Sequence, residues 1–332
     1  MEEKALRLSA VFLMILTAVS FVLLPKLPAL HTWEVEAREE RIAEEEFAQS
    51  QVTMQNLKIK EQNEAAGAKG ELSIRLPEGV TGDQIAVSND YVTQTIRVEI
   101  PQADRTYFDS YPVLGNSDYI DGLSYTRQGE TGVIEVTTNK VYELQTEYDA
   151  QNFYFNFLTP HEVYDKVVVI DAGHGGRAVG ANKQGINEKD IDLAIVLKLK
   201  EIFDNSDQNI GVYYTRTDDS NPTFDQRVQL ANKSDADLFI SIHNNSTRSG
   251  RMSGTSGTQV MYDETSEASR QFAQICLEEV TGRIGSRDKG LVEGDSIYII
   301  RTSEVPVALI EVGFMTNKDE LEKLNSDAYQ RE

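Results

Sequence analysis

Cysteine is almost missing from this chain: Cys276 is the single one among 332 residues. One thiol cannot staple a fold, so no disulfide framework exists. Its setting, SRQFAQICLEEV, reads as an amphipathic helix, where a cysteine is a small buried apolar residue rather than a nucleophile. Histidine is also scarce, with four residues, His31, His161, His174 and His243. No Ser–His or Cys–His arrangement emerges, because His31 and His161 lie outside the pattern that carries chemistry below. Neither His174 nor His243 opens an H-x-x-E pair; the spacing occurs only at His31–Glu34. Basic charge is in the minority, 32 Lys and Arg against 54 Asp and Glu for a net charge of −22. That argues against nucleic acid as a partner, since nucleic-acid binding needs a basic face, and it fits a body working in an aqueous, extracytoplasmic space.

A long apolar run is present once. Leu8 to Leu24 is apolar except for Ser9, Thr17 and Ser20, with Lys4 and Arg7 before it and Pro25 and Lys26 after it. Roughly 17 to 25 apolar residues span a bilayer as a helix. A cleaved signal peptide is the alternative, but PKLPALHTW offers no convincing small-residue cleavage site. The expectation is a cytoplasmic tip and transmembrane anchor over residues 1–30, with the body outside. Residues 31–70 are polar and acidic. Val35, Ile42, Phe47, Val52 and Leu57 keep no sustained heptad, so a solvated helical stalk is expected, ending in the hinge-like EAAGAKG at 64–70.

From residue 71 to 160 short alternating runs (ELSIRL, TIRVEI, GVIEVTT, VYELQTEY, NFYFNFL) are punctuated by turn signals such as PEG, SND, QGETG and DAQN. This rhythm predicts a small all-β sandwich without His or Cys, and so without chemistry of its own. From 166 onward the pattern changes to alternating strands and helices. KVVVID, IGVYYTR, DLFISIH, GTQVMYD, SIYII and VALIE read as strands; EKDIDLAIVLKLKEIF, TFDQRVQLANK, SEASRQFAQICLEEV and NKDELEKLN read as helices. The fold class expected over 166–332 is α/β, with a twisted, largely parallel sheet flanked by helices.

Three of these strands end on residues suited to metal catalysis: His174 in VVVIDAGHGG, His243 in DLFISIHNN and Glu311 in VALIEVGF. Glu188, in NEKD, opens the helix after the first strand, with Asn187 as its expected N-cap. Ligands of open parallel sheets bind just beyond the carboxyl ends of the strands. Two imidazoles and a carboxylate are zinc donors, and a second carboxylate supplies the acid–base partner of a hydrolase. Asp171 is a candidate to fix a histidine tautomer, and Asn244 a candidate oxyanion donor. Each residue has a plainer reading. GHGG could be only a tight turn, His243 a satisfied strand-end histidine, Glu188 a first-turn carboxylate and Glu311 a buried ion-paired group. Their joint occurrence in this order is what points to a site.

Residues 166–325 resemble the zinc-dependent N-acetylmuramoyl-L-alanine amidases of bacterial cell walls, the Amidase_3 family. The resemblance runs through VVVIDAGHGG, Gly180, NEKDIDLA, Thr215–Arg216, QRVQLANK, ADLFISIHNN, SGTQVMY and VPVALIEVGFMTN. It implies zinc held by His174, Glu188 and His243, with Glu311 catalytic. It also implies peptidoglycan as substrate, cut between N-acetylmuramic acid and L-alanine. Ala172 stands where proline is usual in that turn, and the family continues into a final helix beyond Glu332. Residues 71–160 resemble, by strand rhythm and position alone, the AMIN-type wall-binding domains that precede some such enzymes. Two other classes compete: a zinc peptidase acting on the stem peptide, and an idle wall-binding protein that keeps the fold. The second would be expected to have lost a ligand or Glu311, and all four residues are present.

Overall fold

The computed structural model describes residues 27–61 and 69–332. The apolar run Leu8 to Leu24 lies outside the described residues, as does most of the expected hinge. Among the described residues, no helix is long and apolar enough to cross a membrane.

The sheet that carries the site has six strands: β1 (Lys166–Ala172), β2 (Ile210–Tyr214), β3 (Leu238–Asn245), β4 (Thr258–Tyr262), β5 (Asp288–Glu293) and β6 (Val307–Phe314), in the order β2-β1-β3-β6-β4-β5. β2, β1, β3 and β6 run parallel; β4 is antiparallel to β6, and β5 is parallel to β4. The continuous apolar runs follow from cover on both faces. Along β1, Val168, Ile170 and Ala172 enter one core with Ile191, Val196, Ala273, Leu277 and Leu321. Val167 and Val169, half a pleat away, enter a second core with Val228, Leu230, Ala231, Phe239, Ile299 and Ile300.

Helix α1 spans Leu27–Ser50. On the first face of the sheet lie α2 (Glu188–Asp204), α3 (Glu267–Ile284) and α4 (Lys318–Leu324). On the second lie α5 (Phe224–Lys233) and the single turn α6 (Tyr298–Arg301). SIYII, read as a strand, is that turn: Ile299 and Ile300 are buried in the second core, and helix serves them as well as a strand would. The edge strand beside β4 is instead β5, DKGLVE, whose charged ends and half-exposed middle hide a strand pattern.

Residues 55–158 form two five-stranded sheets. Their inner faces meet in one core, with Ile96, Val98, Ile134, Val136 and Tyr125 from one sheet opposite Leu72, Ile74, Phe153, Phe155 and Phe157 from the other. SND, read as a turn, ends the strand Ala86–Asp90; the turn follows it, where Asp90 Oδ1 accepts from the amides of Val92 and Thr93. This unit is fastened to the one that holds the six-stranded sheet. Val141 is buried in the second core, its amide donates to the Lys233 carbonyl at 3.0 Å, and Glu143 accepts the hydroxyls of both Tyr91 and Tyr213. Helix α1 is docked on the same body rather than solvated along its length, with Ala43 only 3% exposed.

Candidate metal centre and active site

The turn after β1 places His174. Its φ is +59°, a left-handed value uncommon for a residue with a side chain, and Gly175 and Gly176 follow with positive φ. Two buried arginines hold this conformation by the carbonyls. Arg216 donates to Ala172 O (2.9 Å) and Gly173 O (2.6 Å), and Arg227, on α5, donates to Ala172 O and His174 O (both 2.7 Å). Gly173 leaves room for the His243 ring, since a Cβ there would lie 2.4 Å from His243 Cε1. A Cβ on Gly180 would likewise press on Glu188 and His174.

Glu188 is the first residue of α2, with Asn187 at the N-cap as expected, although the Asn187 side chain bonds to Asp190 rather than to the helix backbone. Glu188 Oε1 lies 3.1 Å from His174 Nε2 and 3.2 Å from His243 Nδ1, and the two rings meet edge to face with centroids 4.8 Å apart. Glu188 Oε2 accepts from the Ala181 amide, which fixes the carboxylate's orientation. His243 and Glu311 are register partners on the parallel strands β3 and β6, so their side chains leave the same face side by side. Glu311 Oε2 is shielded from solvent and has no hydrogen-bond partner. The four residues expected from the sequence therefore meet at one place, at the carboxyl ends of β1, β3 and β6.

A fifth group was not expected. Asp192, one helical turn after Glu188, joins His174, Glu188 and His243 in a set whose donor atoms all lie within 4.8 Å of one another. Asp192 Oδ1 accepts from Asn244 Nδ2 at 2.7 Å. This engages the amide nitrogen of the candidate oxyanion donor, although Asn244 lines the same cavity as His243. Asp171 departs from its expected role as well. It touches no histidine and accepts from Arg227 Nη1 (2.6 Å), Thr215 Oγ1 (2.6 Å) and Ser241 Oγ (2.5 Å).

The charges are strongly interdependent. Burial disfavours an imidazolium at His174, but the carboxylates of Glu188 and Glu39 outweigh it and raise its pKa well above the ordinary value. Burial alone would raise Glu188, yet His174 and His243 hold it well below the usual carboxylate range. Burial, reinforced by the Glu188 charge, pushes Glu311 up to about 8 and Asp192 well above its ordinary value. Two imidazoles and a cluster of buried carboxyls, two of them with an unpartnered oxygen (Asp192 Oδ2 and Glu311 Oε2), suit a dication and the water it holds. His174, Glu188, Asp192 and His243 together form a group whose donor atoms could hold such an ion.

The sequence reading left the role of Arg216 and Arg227 unassigned and did not single out Asp192 or Gly173. Their signals were present in TR, QRVQ, the E-x-x-x-D spacing of α2 and the first glycine of GHGG. Glu39 was also missed. Its Oε2 lies 3.1 Å from His174 Nδ1, so α1 forms part of the wall of the cleft.

Residues 168–332 match the family described as Amidase_3, N-acetylmuramoyl-L-alanine amidase. The uncharacterized protein YqiI of Bacillus subtilis (strain 168) is 38% identical over 172 residues, which cover 50% of this chain and 78% of that protein. The N-acetylmuramoyl-L-alanine amidase CwlM of Bacillus licheniformis is 33% identical over 162 residues, covering 49% of this chain and 62% of that protein. The crystal structure of an N-acetylmuramoyl-L-alanine amidase from Clostridium difficile 630 is 33% identical, with a TM-score of 0.47, and covers 50% of this chain and 89% of that one.

Proposed function

Because the chain belongs, through residues 168–332, to the N-acetylmuramoyl-L-alanine amidase family, we propose that it is a zinc amidohydrolase of peptidoglycan. The bond cut is the amide between the lactyl group of N-acetylmuramic acid and the L-alanine of the stem peptide. The observation that carries the chemistry is Glu311, a carboxyl with an unpartnered buried oxygen, held beside His243 by strand register.

His174, Glu188 and His243 would hold the zinc. When bound, zinc polarises the scissile carbonyl and lowers the pKa of a water to roughly 7. Glu311 takes a proton from the attacking water at its free carboxylate oxygen as the water oxygen bonds to the carbonyl carbon. It then returns that proton to the alanine nitrogen as the C–N bond breaks, leaving a lactyl carboxyl and a free amino group. A nearby dication lowers the carboxyl pKa, so the ionised base is available near neutral pH. Asp192 accepts from Asn244 Nδ2, and Arg216 and Arg227 keep the His174 turn in its left-handed conformation.

The β-rich unit has no cluster of catalytic residue types, and we read it as a wall-binding module that raises local substrate concentration. Mass spectrometry of zinc-loaded digests of purified peptidoglycan tests the activity. Free stem peptides beginning with L-alanine are expected. Cuts inside the stem would make the protein a peptidase, and intact peptidoglycan despite bound zinc would favour a wall-binding protein without catalysis.

A further inference from the structure

The acidic segment before the β-rich unit has one face that is fully engaged. Along α1, Glu36, Glu39, Glu40, Ala43 and Glu46 recur at three- and four-residue spacing, which puts them on one side of a helix. All four glutamates on that side meet partners around the active site. Glu36 Oε1 accepts from the Tyr298 amide at 2.7 Å, and Glu40 Oε2 accepts from the Phe224 amide at 2.7 Å, the first residue of α5. Glu46 accepts from the amide and Nε of Arg177 and from Asn221 Nδ2, each at 3.0 Å. Glu39 reaches furthest in, to His174 Nδ1 at 3.1 Å. Ala43, between these contacts, is buried. Two partners lie in or beside the His174 turn: Gly176, where a Cβ would come 2.5 Å from Glu46 Oε2, and Arg177.

The consequence is geometric. The cavity containing His174, Glu188, His243 and Glu311 is about 360 Å³, and Val35, Glu36 and Glu39 of α1 form one of its walls. A muramoyl-peptide carries sugar on one side of the scissile amide and peptide on the other, so it needs a cleft open at both ends. With α1 seated, Glu39 lines this cavity with its carboxylate 3.1 Å from His174 Nδ1, while His174 Nε2 faces Glu188.

We propose that α1 is an intramolecular plug, and that the chain is an amidase held closed by its own N-terminal acidic helix. This rests on the amidase reading of the same site. The docking is polar, so it can be reversed: among residues 35–50 Ala43 is the only buried apolar side chain, and the contacts are carboxylates on backbone amides, His174, Arg177 and Asn221. Tethering keeps α1 at a high effective concentration, which a substrate must overcome, and the apparent affinity for substrate falls by the fraction of molecules that are open.

The test uses the full chain loaded with zinc. Ala43→Glu puts bulk and a like charge into the seat of α1, while Glu40→Ala with Glu46→Ala removes two clamps without adding bulk. Neither touches the ligand set or Glu311. Each should raise amide exchange over residues 35–50, measured by hydrogen–deuterium exchange. Each should also raise kcat/KM on a soluble muropeptide by tenfold or more, and speed removal of zinc by a chelator. Increased exchange with unchanged kcat/KM and zinc removal would overturn the plug while leaving the amidase intact. Free exchange of residues 35–50 in the unmodified chain would overturn it too. If no form of the chain hydrolyses muropeptide, the amidase reading fails. The zinc-removal rate then decides for the plug, faster in the variants if it blocks access and equal if it does not. Should Ala43→Glu fail to fold, the paired alanine variant carries the same outcomes.

Discussion

Asp171 and Glu311 are both carboxyls near the carboxyl ends of neighbouring strands, and their surroundings push them in opposite directions. Burial would raise Asp171, but the Arg227 guanidinium and the hydroxyls of Ser241 and Thr215 hold it down at about 2. Glu311 has no such partners, and burial with the Glu188 charge beside it pushes it up to about 8. This makes stability depend on pH in a definite sense. The folded protein holds the Glu311 proton more tightly than the unfolded chain, so that contribution is fully present below about 4.5 and is lost as pH rises through about 8. In chelated protein, Glu311→Gln removes this dependence. Urea midpoints should therefore fall less for the variant than for the unmodified chain between about pH 5 and pH 9, and parallel profiles would remove Glu311 as their source. At this scale the sequence was informative where residue type and strand-end position together narrow the role, as at His174, His243 and Glu311. It was misleading for Asp171, whose partners are Arg227, Thr215 and Ser241 rather than a histidine.

Single elements matter through what they hold at their ends. α5 is started by a capping box, in which Thr223 Oγ1 accepts from the Gln226 amide and Gln226 Oε1 accepts from the Thr223 amide. One turn in, it supplies Arg227, which bonds Asp171 and two carbonyls of the His174 turn. Arg227→Ala would leave Asp171 buried without its counter-charge, and loss of one partner of a buried pair costs about 3–5 kcal/mol. Chemical denaturation should show a loss of that order together with weakened zinc binding, whereas a change below about 1 kcal/mol would place the pair with surface ion pairs. Strong period-two and period-3.6 patterns made most elements legible. They failed at SIYII, where five residues suit either period, and at β5, where polar ends conceal an edge strand. They also failed to show that α1 docks. Its buried stripe consists of glutamates, so a search for apolar periodicity sees only a solvated face, and the partners that order it lie more than a hundred residues away in sequence.

At the scale of the molecule, three parts with different patterning form one body. The β-rich unit gives Val141 to the core of the catalytic unit, and Glu143 joins the two through Tyr91 and Tyr213. This limits what a deletion of residues 71–160 can report, because it also strips cover from the catalytic core. The wall-binding role is better tested on whole chains. Charged substitutions on the exposed strand Glu143–Tyr148, at Glu147 or Tyr148, should reduce co-sedimentation with insoluble sacculi while soluble muropeptide hydrolysis stays within about twofold. Equal loss in both assays would make the unit a structural support. The change from alternating strands to strand–helix alternation showed the division of the chain near residue 160. The fastening between the parts rests on scattered side chains with no pattern of their own.

The central claim is that one carboxyl moves the proton in a metal site built from His174, Glu188 and His243. The direct measurement is the hydrolysis rate of zinc-loaded Glu311→Gln, compared with the unmodified chain at equal zinc content. Acid–base groups contribute roughly 10² to 10⁴ in rate, so the variant should retain zinc and lose activity by that factor. A zinc-replete variant that hydrolyses peptidoglycan at a near-normal rate would contradict the account.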